Sequence, residues 1–143
     1  MFLSILSALS LHFRRINTKI NYMSKIAIIE DDAAISQMYR IKFETEGYDV
    51  DTAENGKLGL ELIDKMKPDM VLLDLMMPEM NGDEMLQKLR STTYGKTVKV
   101  IILTNMGESE APESIKTLDV LAFIVKANMT PRQVAELVKT HLA

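Results

Sequence analysis

A doubly wound α/β fold on a five-stranded parallel sheet is what the sequence predicts, and three observations carry that prediction. From Lys25 onward, short apolar runs alternate five times with longer amphipathic stretches, the pattern of repeated βα units. The first, third and fourth runs are nearly continuously apolar, as strands are when helices cover both sheet faces. Five such units in about 120 residues are too few for a barrel, which needs eight.

The elements follow in order. Lys25–Glu30 (KIAIIE) reads as the first strand, and Ala33–Glu46 as a helix that Gly47 closes with a left-handed cap. Tyr48–Ala53 is the second strand, followed by a helix over Lys57–Met66 that Pro68 stops. The third strand, Met70–Asp74, leads to a helix at Gly82–Leu89, and the fourth, Val98–Thr104, to a helical pattern at Glu113–Leu118. Ala122–Lys126 is the fifth strand. The last helix spans Thr130–Leu142, where Thr130, Pro131 and Gln133 supply an N-cap, a proline at the first helical position and a capping-box partner.

At 143 residues with 47% hydrophobic side chains, the chain is long and apolar enough for one domain with a real core. The absence of cysteine excludes disulfides, thiolate metal sites and a cysteine nucleophile. Only two histidines, His12 and His141, are present, and a histidine-rich metal site is not expected. A net charge of −3 lacks the basic excess that phosphate backbones attract, so nucleic acid is not an expected partner.

The charge is uneven: residues 1–22 carry +3 and residues 23–143 carry −6. Met1–Phe13 is apolar but shorter than the ~20 residues that span a bilayer, and Arg14 and Arg15 follow the run rather than precede it, unlike a secretory signal. Ser4, Ser7 and Ser10 lie opposite Leu3, Ile5, Leu6 and Leu9, a weak amphipathic pattern. The expected organisation is therefore an N-terminal extension over 1–22, disordered or arising from a misassigned start codon, and one functional domain over 23–143. Membrane contact is not expected, and the expected location is cytoplasmic.

In a doubly wound sheet, ligands sit outside the carboxyl ends of the strands. The first strand ends at Glu30-Asp31-Asp32, the third at Asp74, the fourth at Thr104 and the fifth at Lys126. Clustered carboxylates repel one another unless a cation neutralises them, and hard oxygen ligands favour Mg²⁺. A carboxylate beside Mg²⁺ can attack a phosphoryl group while a hydroxyl and a lysine offset charge on its oxygens. The product of that chemistry is an aspartyl phosphate.

These residues resemble the receiver domain of two-component response regulators, over essentially all of Met23 to Ala143. Glu30 and Asp31 match the acidic pair, Asp74 the phosphoacceptor, Thr104 and Lys126 the hydroxyl and lysine, with intervals of 43, 30 and 22 residues from Asp31 to Asp74, Thr104 and Lys126 in turn. Met77-Pro78-Glu79-Met80-Asn81-Gly82 is similar to the loop after the phosphorylated strand, and Phe123 to the aromatic switch position. The resemblance implies strand order 2-1-3-4-5 in a flavodoxin-like receiver fold. It also implies Mg²⁺ held by Asp31, Asp74 and the backbone carbonyl of Met76, with Glu30 acting through a metal-bound water and Asp32 left as a helix cap. A sensor histidine kinase or phosphotransfer protein would donate the phosphoryl group. Thr104 and Phe123 would then move, and a downstream protein would read the face formed by residues 113–118, the fifth strand and the last helix.

The expected role is a stand-alone, chemotaxis-regulator-like switch rather than an enzyme. Haloacid-dehalogenase-like phosphatases also use a strand-end aspartate, but they need a second Asp two residues later, where this chain has Met76. Neither GxxxxGK[ST] nor GxGxxG after the first strand is present. Two departures from the receiver pattern matter. Lys126 is followed by Ala127 instead of proline, which predicts a trans bond and a shifted or mobile loop. Asn105 replaces the usual small residue after Thr104, and with Met76 and Met106 it is expected to narrow access to Asp74 and prolong the phosphorylated state.

Overall fold

Side chains that alternate along each apolar run build two cores, one on either side of a single sheet. The computed structural model describes residues 23–143. The strands β1 (Lys25–Ile29), β2 (Asp49–Ala53), β3 (Met70–Leu73), β4 (Lys99–Thr104) and β5 (Ala122–Val125) are all parallel, in the order β2-β1-β3-β4-β5. Helices α1 (Ala33–Thr45), α2 (Gly56–Met66), α3 (Gly82–Arg90) and α4 (Pro131–Leu142) cover the sheet. On one side Ile26, Ile28, Leu72 and Ile101 pack against Phe43 of α1 and Val134 and Val138 of α4. On the other, Ala27, Ile29, Leu73 and Ile102 pack against Ile63 of α2 and Met85, Leu86 and Leu89 of α3. The central strands bury both faces, which is why their sequences lack polar alternation.

Local chemistry ends the helices where the sequence places the signals. Asp32 Oδ1 accepts from the Ile35 amide at 3.0 Å and Asn55 Oδ1 from the Leu58 amide at 2.8 Å. Thr130 and Gln133 close a reciprocal capping box on α4. Gly47 follows α1 at φ 93°, the left-handed backbone expected of it, and Lys67 takes φ 50° to end α2 just before Pro68. Strand and helix limits otherwise fall within one or two residues of those read from the sequence. The proposed extension over residues 1–22 lies outside the described residues.

One expected element is absent. Glu113–Leu118 is not an α-helix: between β4 and β5 the chain makes two 3₁₀ turns, Glu108–Glu110 and Glu113–Thr117. Their bonds span three residues, from the Glu110 amide to Gly107, Ile115 to Pro112 and Leu118 to Ile115. The physical reason lies in the flanks and the composition. Pro112 withholds an amide at one end, Asp119 at φ 55° turns the chain at the other, and only Ile115 in the second turn is buried. A segment this short, with one apolar anchor, does not offset the cost of nucleating an α-helix.

Arg90, the last residue of α3, ties this connection down. Its guanidinium donates to the carbonyls of Leu118 at 2.9 Å, Asp119 at 2.8 Å, Gly95 at 2.8 Å and Val98 at 2.6 Å. Four backbone acceptors from three separate stretches thus share one rigid fork. Replacing Arg90 with Ala is expected to destabilise the domain by about 2–4 kcal/mol in chemical denaturation. Arg90→Lys should restore less than half of that, because a single ammonium does not reach acceptors spread around the fork.

Candidate functional site

The register of the parallel sheet brings the polar strand ends to one edge. The Glu30 amide donates to the Ala53 carbonyl and the Asp74 amide to Ile29, each at 3.0 Å, so both acids continue the ladder just beyond the strands. Glu30 and Asp74 are buried, at 5% and 6% exposure, whereas Asp31 beside them is exposed. One carboxylate oxygen from each of the three lies within 4.8 Å of the others. The site is thus walled by protein on two sides and open at Asp31.

Lys126 crosses to this group from the end of β5. Its ammonium pairs with Glu30 Oε2 and donates to Asp74 Oδ2 at 3.3 Å, with the lysine side chain only 10% exposed. Every peptide bond among the described residues is trans, including Lys126-Ala127. A short 3₁₀ turn over Lys126–Asn128 takes the chain to α4, so the missing proline does not keep the lysine from the carboxylates.

The remaining hydrogen bonds orient the acids. Glu30 Oε1 accepts from the Asp32 amide and Asp74 Oδ1 from the Met76 amide, both at 3.1 Å. Burial pushes the Glu30 carboxyl up to about 7, against the hydrogen bonds from Lys126 and Asp32 that favour its charged form. Burial acts on Lys126 in the direction of a lower pKa, but its bond to Glu30 and the charges of Asp74 and Glu30 outweigh this and hold it above the ordinary lysine value. Lys126 pairs with two of the three carboxyl groups, which leaves negative charge uncompensated. An all-oxygen donor set with that charge and one open side suits a hard divalent cation, which Glu30, Asp31 and Asp74 would hold.

Thr104 is fully buried at the end of β4, and its Oγ1 accepts from the Met106 amide at 3.3 Å. Phe123 on β5 is half-buried and lines a cavity of about 230 Å³ with Ala111, Pro112, Ile115 and Val120, beneath the 3₁₀ turns. Met76 and Met106 border one opening with Asp31, of about 420 Å³. Asn105, next to Thr104, is exposed. Gly82, at the start of α3, is held under a steric constraint. A Cβ there would collide with the Asp74 carbonyl and come within 2.8 Å of the Leu75 Cα. Only glycine lets α3 start against the backbone just past β3.

A profile of the response regulator receiver domain matches residues 26–139. The chain belongs to the response regulator receiver family. This receiver domain is 34% identical over 102 residues to sporulation initiation phosphotransferase F of Bacillus subtilis, covering 71% of the chain and 81% of that relative. It is 40% identical over 86 residues to the DNA-binding dual master transcriptional regulator RpaA of Synechocystis, covering 60% of the chain but 36% of the relative. The chain spans about a third to a half of the length of most curated relatives it matches. Among solved structures, a CheY-like receiver protein of Methanospirillum hungatei superposes with a TM-score of 0.77 at 30% identity, covering 85% of this chain and 94% of that one. Chemotaxis protein CheY4 of Vibrio cholerae also gives 0.77, at 25% identity over 83% of this chain and 98% of its own. Among the described residues of the receiver domain, no helix is long and apolar enough to cross a membrane.

The acidic triplet supports a test of role by position. Asp31→Ala should weaken Mg²⁺ binding at least tenfold, whereas Asp32→Ala, which removes the α1 cap, should leave it within about twofold and cost about 1 kcal/mol of stability. Calorimetric titration and denaturation of both variants check the pair. The reverse order of affinities would exchange their roles.

Proposed function

We propose that this receiver domain is a signalling switch phosphorylated on Asp74, with Mg²⁺ as its cation and a phosphohistidine on a sensor histidine kinase or phosphotransfer protein as donor. The observation that carries the reading is the convergence of Glu30, Asp31, Asp74 and Lys126 at one sheet edge. When bound, Mg²⁺ would supply positive charge toward the phosphoryl oxygens. An Asp74 carboxylate oxygen attacks phosphorus in line, a P–O bond forms as the P–N bond to the donor imidazole breaks, and the released imidazole nitrogen takes a proton. The Met76 amide orients Asp74 through Oδ1. Lys126, already held against Oδ2, follows the negative charge as it moves onto the phosphoryl group.

The switch acts through Thr104 and Phe123. A phosphoryl group on Asp74 offers a charged acceptor to the Thr104 hydroxyl, whose inward movement frees space beside Phe123. A downstream protein then reads the altered face of β5, α4 and the 3₁₀ connection. The domain is a switch and not a turnover enzyme, because Met76 stands where a general acid would be needed and offers no proton. The reading places it in the cytoplasm with its donor, and it concerns the receiver domain whether or not an output domain is attached.

Asp74→Asn should abolish acid-labile labelling by a phosphohistidine donor, and excess chelator should abolish it in the unaltered chain. Retained label in either case would place the acceptor or the cation elsewhere. The lifetime of the aspartyl phosphate should be long, since the Met76 and Met106 thioethers at the opening do not orient water strongly. Met76→Asn should speed phosphate loss roughly three- to tenfold, and Asn105→Ala, which trims the side chain next to Thr104, should speed it as well. Unchanged loss in Met76→Asn would remove the methionines as the cause.

A further inference from the structure

Eleven methionines are unusual for a chain of 143 residues, and three of them, Met76, Met77 and Met80, fall within five residues of sequence just after Asp74. They differ sharply in exposure. Met70 and Met85 are fully buried and Met77 nearly so, while Met76 is 56% exposed, above Met23 at 51% and Met38 at 43%. The Met76 amide also donates to Asp74 Oδ1. Its side chain and that of Met106 border the opening that Asp31 shares. An exposed thioether at the mouth of a site is a group that oxidants reach without unfolding the chain.

We infer that Met76 is an oxidation site through which peroxides shorten the phosphorylated state. The inference rests on the phosphorylation of Asp74 proposed above. The Met76 sulfur gives two electrons to a hydroperoxide: an S–O bond forms as the O–O bond breaks, and the departing oxygen takes a proton and leaves as water or an alcohol. The product changes the chemistry of the opening. A thioether is a weak acceptor, whereas the sulfoxide oxygen is a strongly polar acceptor able to hold a water molecule beside the phosphoryl group. Oxidation therefore supplies the water orientation that the reduced site lacks. The buried Met70 and Met85 are internal references, since peroxide reaches them only through opening of the core.

The test treats the full chain with hydrogen peroxide, maps oxygen uptake by peptide mass spectrometry, and measures phosphate loss after labelling with phosphoramidate and Mg²⁺. Met76 should gain oxygen well before Met70 and Met85, and the oxidised protein should lose phosphate roughly three- to tenfold faster. Methionine sulfoxide reductases should restore the slower rate. Met76→Leu should show the same rate with and without peroxide, and Met76→Gln should lose phosphate faster than Met76→Leu without any oxidant. Oxidation of Met85 as fast as Met76, or a peroxide response that survives in Met76→Leu and disappears in Met106→Leu, overturns the assignment. Labelled protein whose rate ignores peroxide sinks this inference alone. An untreated protein that takes no label on Asp74 sinks it together with the phosphorylation reading.

Discussion

Two buried carboxyl groups, Glu30 and Asp74, share one buried ammonium, and the architecture around the sheet edge is what makes that arrangement tolerable. A buried charge without a partner costs several kcal/mol. Here the partner comes from a strand far away in sequence, so β1, β3 and β5 must all be in register for Lys126 to arrive. The balance is still incomplete. Burial raises the Glu30 carboxyl to about 7 although Lys126 and the Asp32 amide both donate to it, so desolvation outweighs those two hydrogen bonds. Three carboxyl groups against one ammonium form a charge pattern that a divalent cation would complete.

Precision at the edge depends on apolar packing beneath it. Ile29 and Leu73, the residues before Glu30 and Asp74 in β1 and β3 respectively, are fully buried in one core, and Ile28 and Leu72 in the other. Slippage by one residue would reverse the faces of each strand, and with them the acids. Gly82 adds a second fixed point. Its lack of a side chain brings the start of α3 against the Asp74 carbonyl, so the Asp74 backbone is gripped from the strand side and from the helix side.

Most of this was readable in the sequence because the chemistry sits where an apolar run stops. Glu30, Asp74, Thr104 and Lys126 each end such a run, and a parallel sheet gathers run ends at one edge. The caps were readable for a related reason: Asp32, Thr130 and Gln133 act on amides only a few residues away. What escaped was of another kind. Arg90 binds backbone carbonyls, which every residue possesses, so nothing in the sequence marks its partners. The Glu113–Leu118 segment has helix-favouring residues, but its conformation is decided by Pro112 and by the turn at Asp119.

The connection between β4 and β5 is anchored by Arg90 through main-chain oxygens alone. Such an anchor is indifferent to side-chain identity. The exposed residues Glu108, Ser109, Glu110, Glu113 and Lys116 can therefore drift by substitution without loosening the path of the chain, provided Pro112 keeps its bend and Met106, Ala111 and Ile115 keep their apolar contacts. A surface of that kind can acquire a new binding preference while the acidic edge stays as it is. Variation of that surface and constancy of the acidic edge are thereby separated in one small domain.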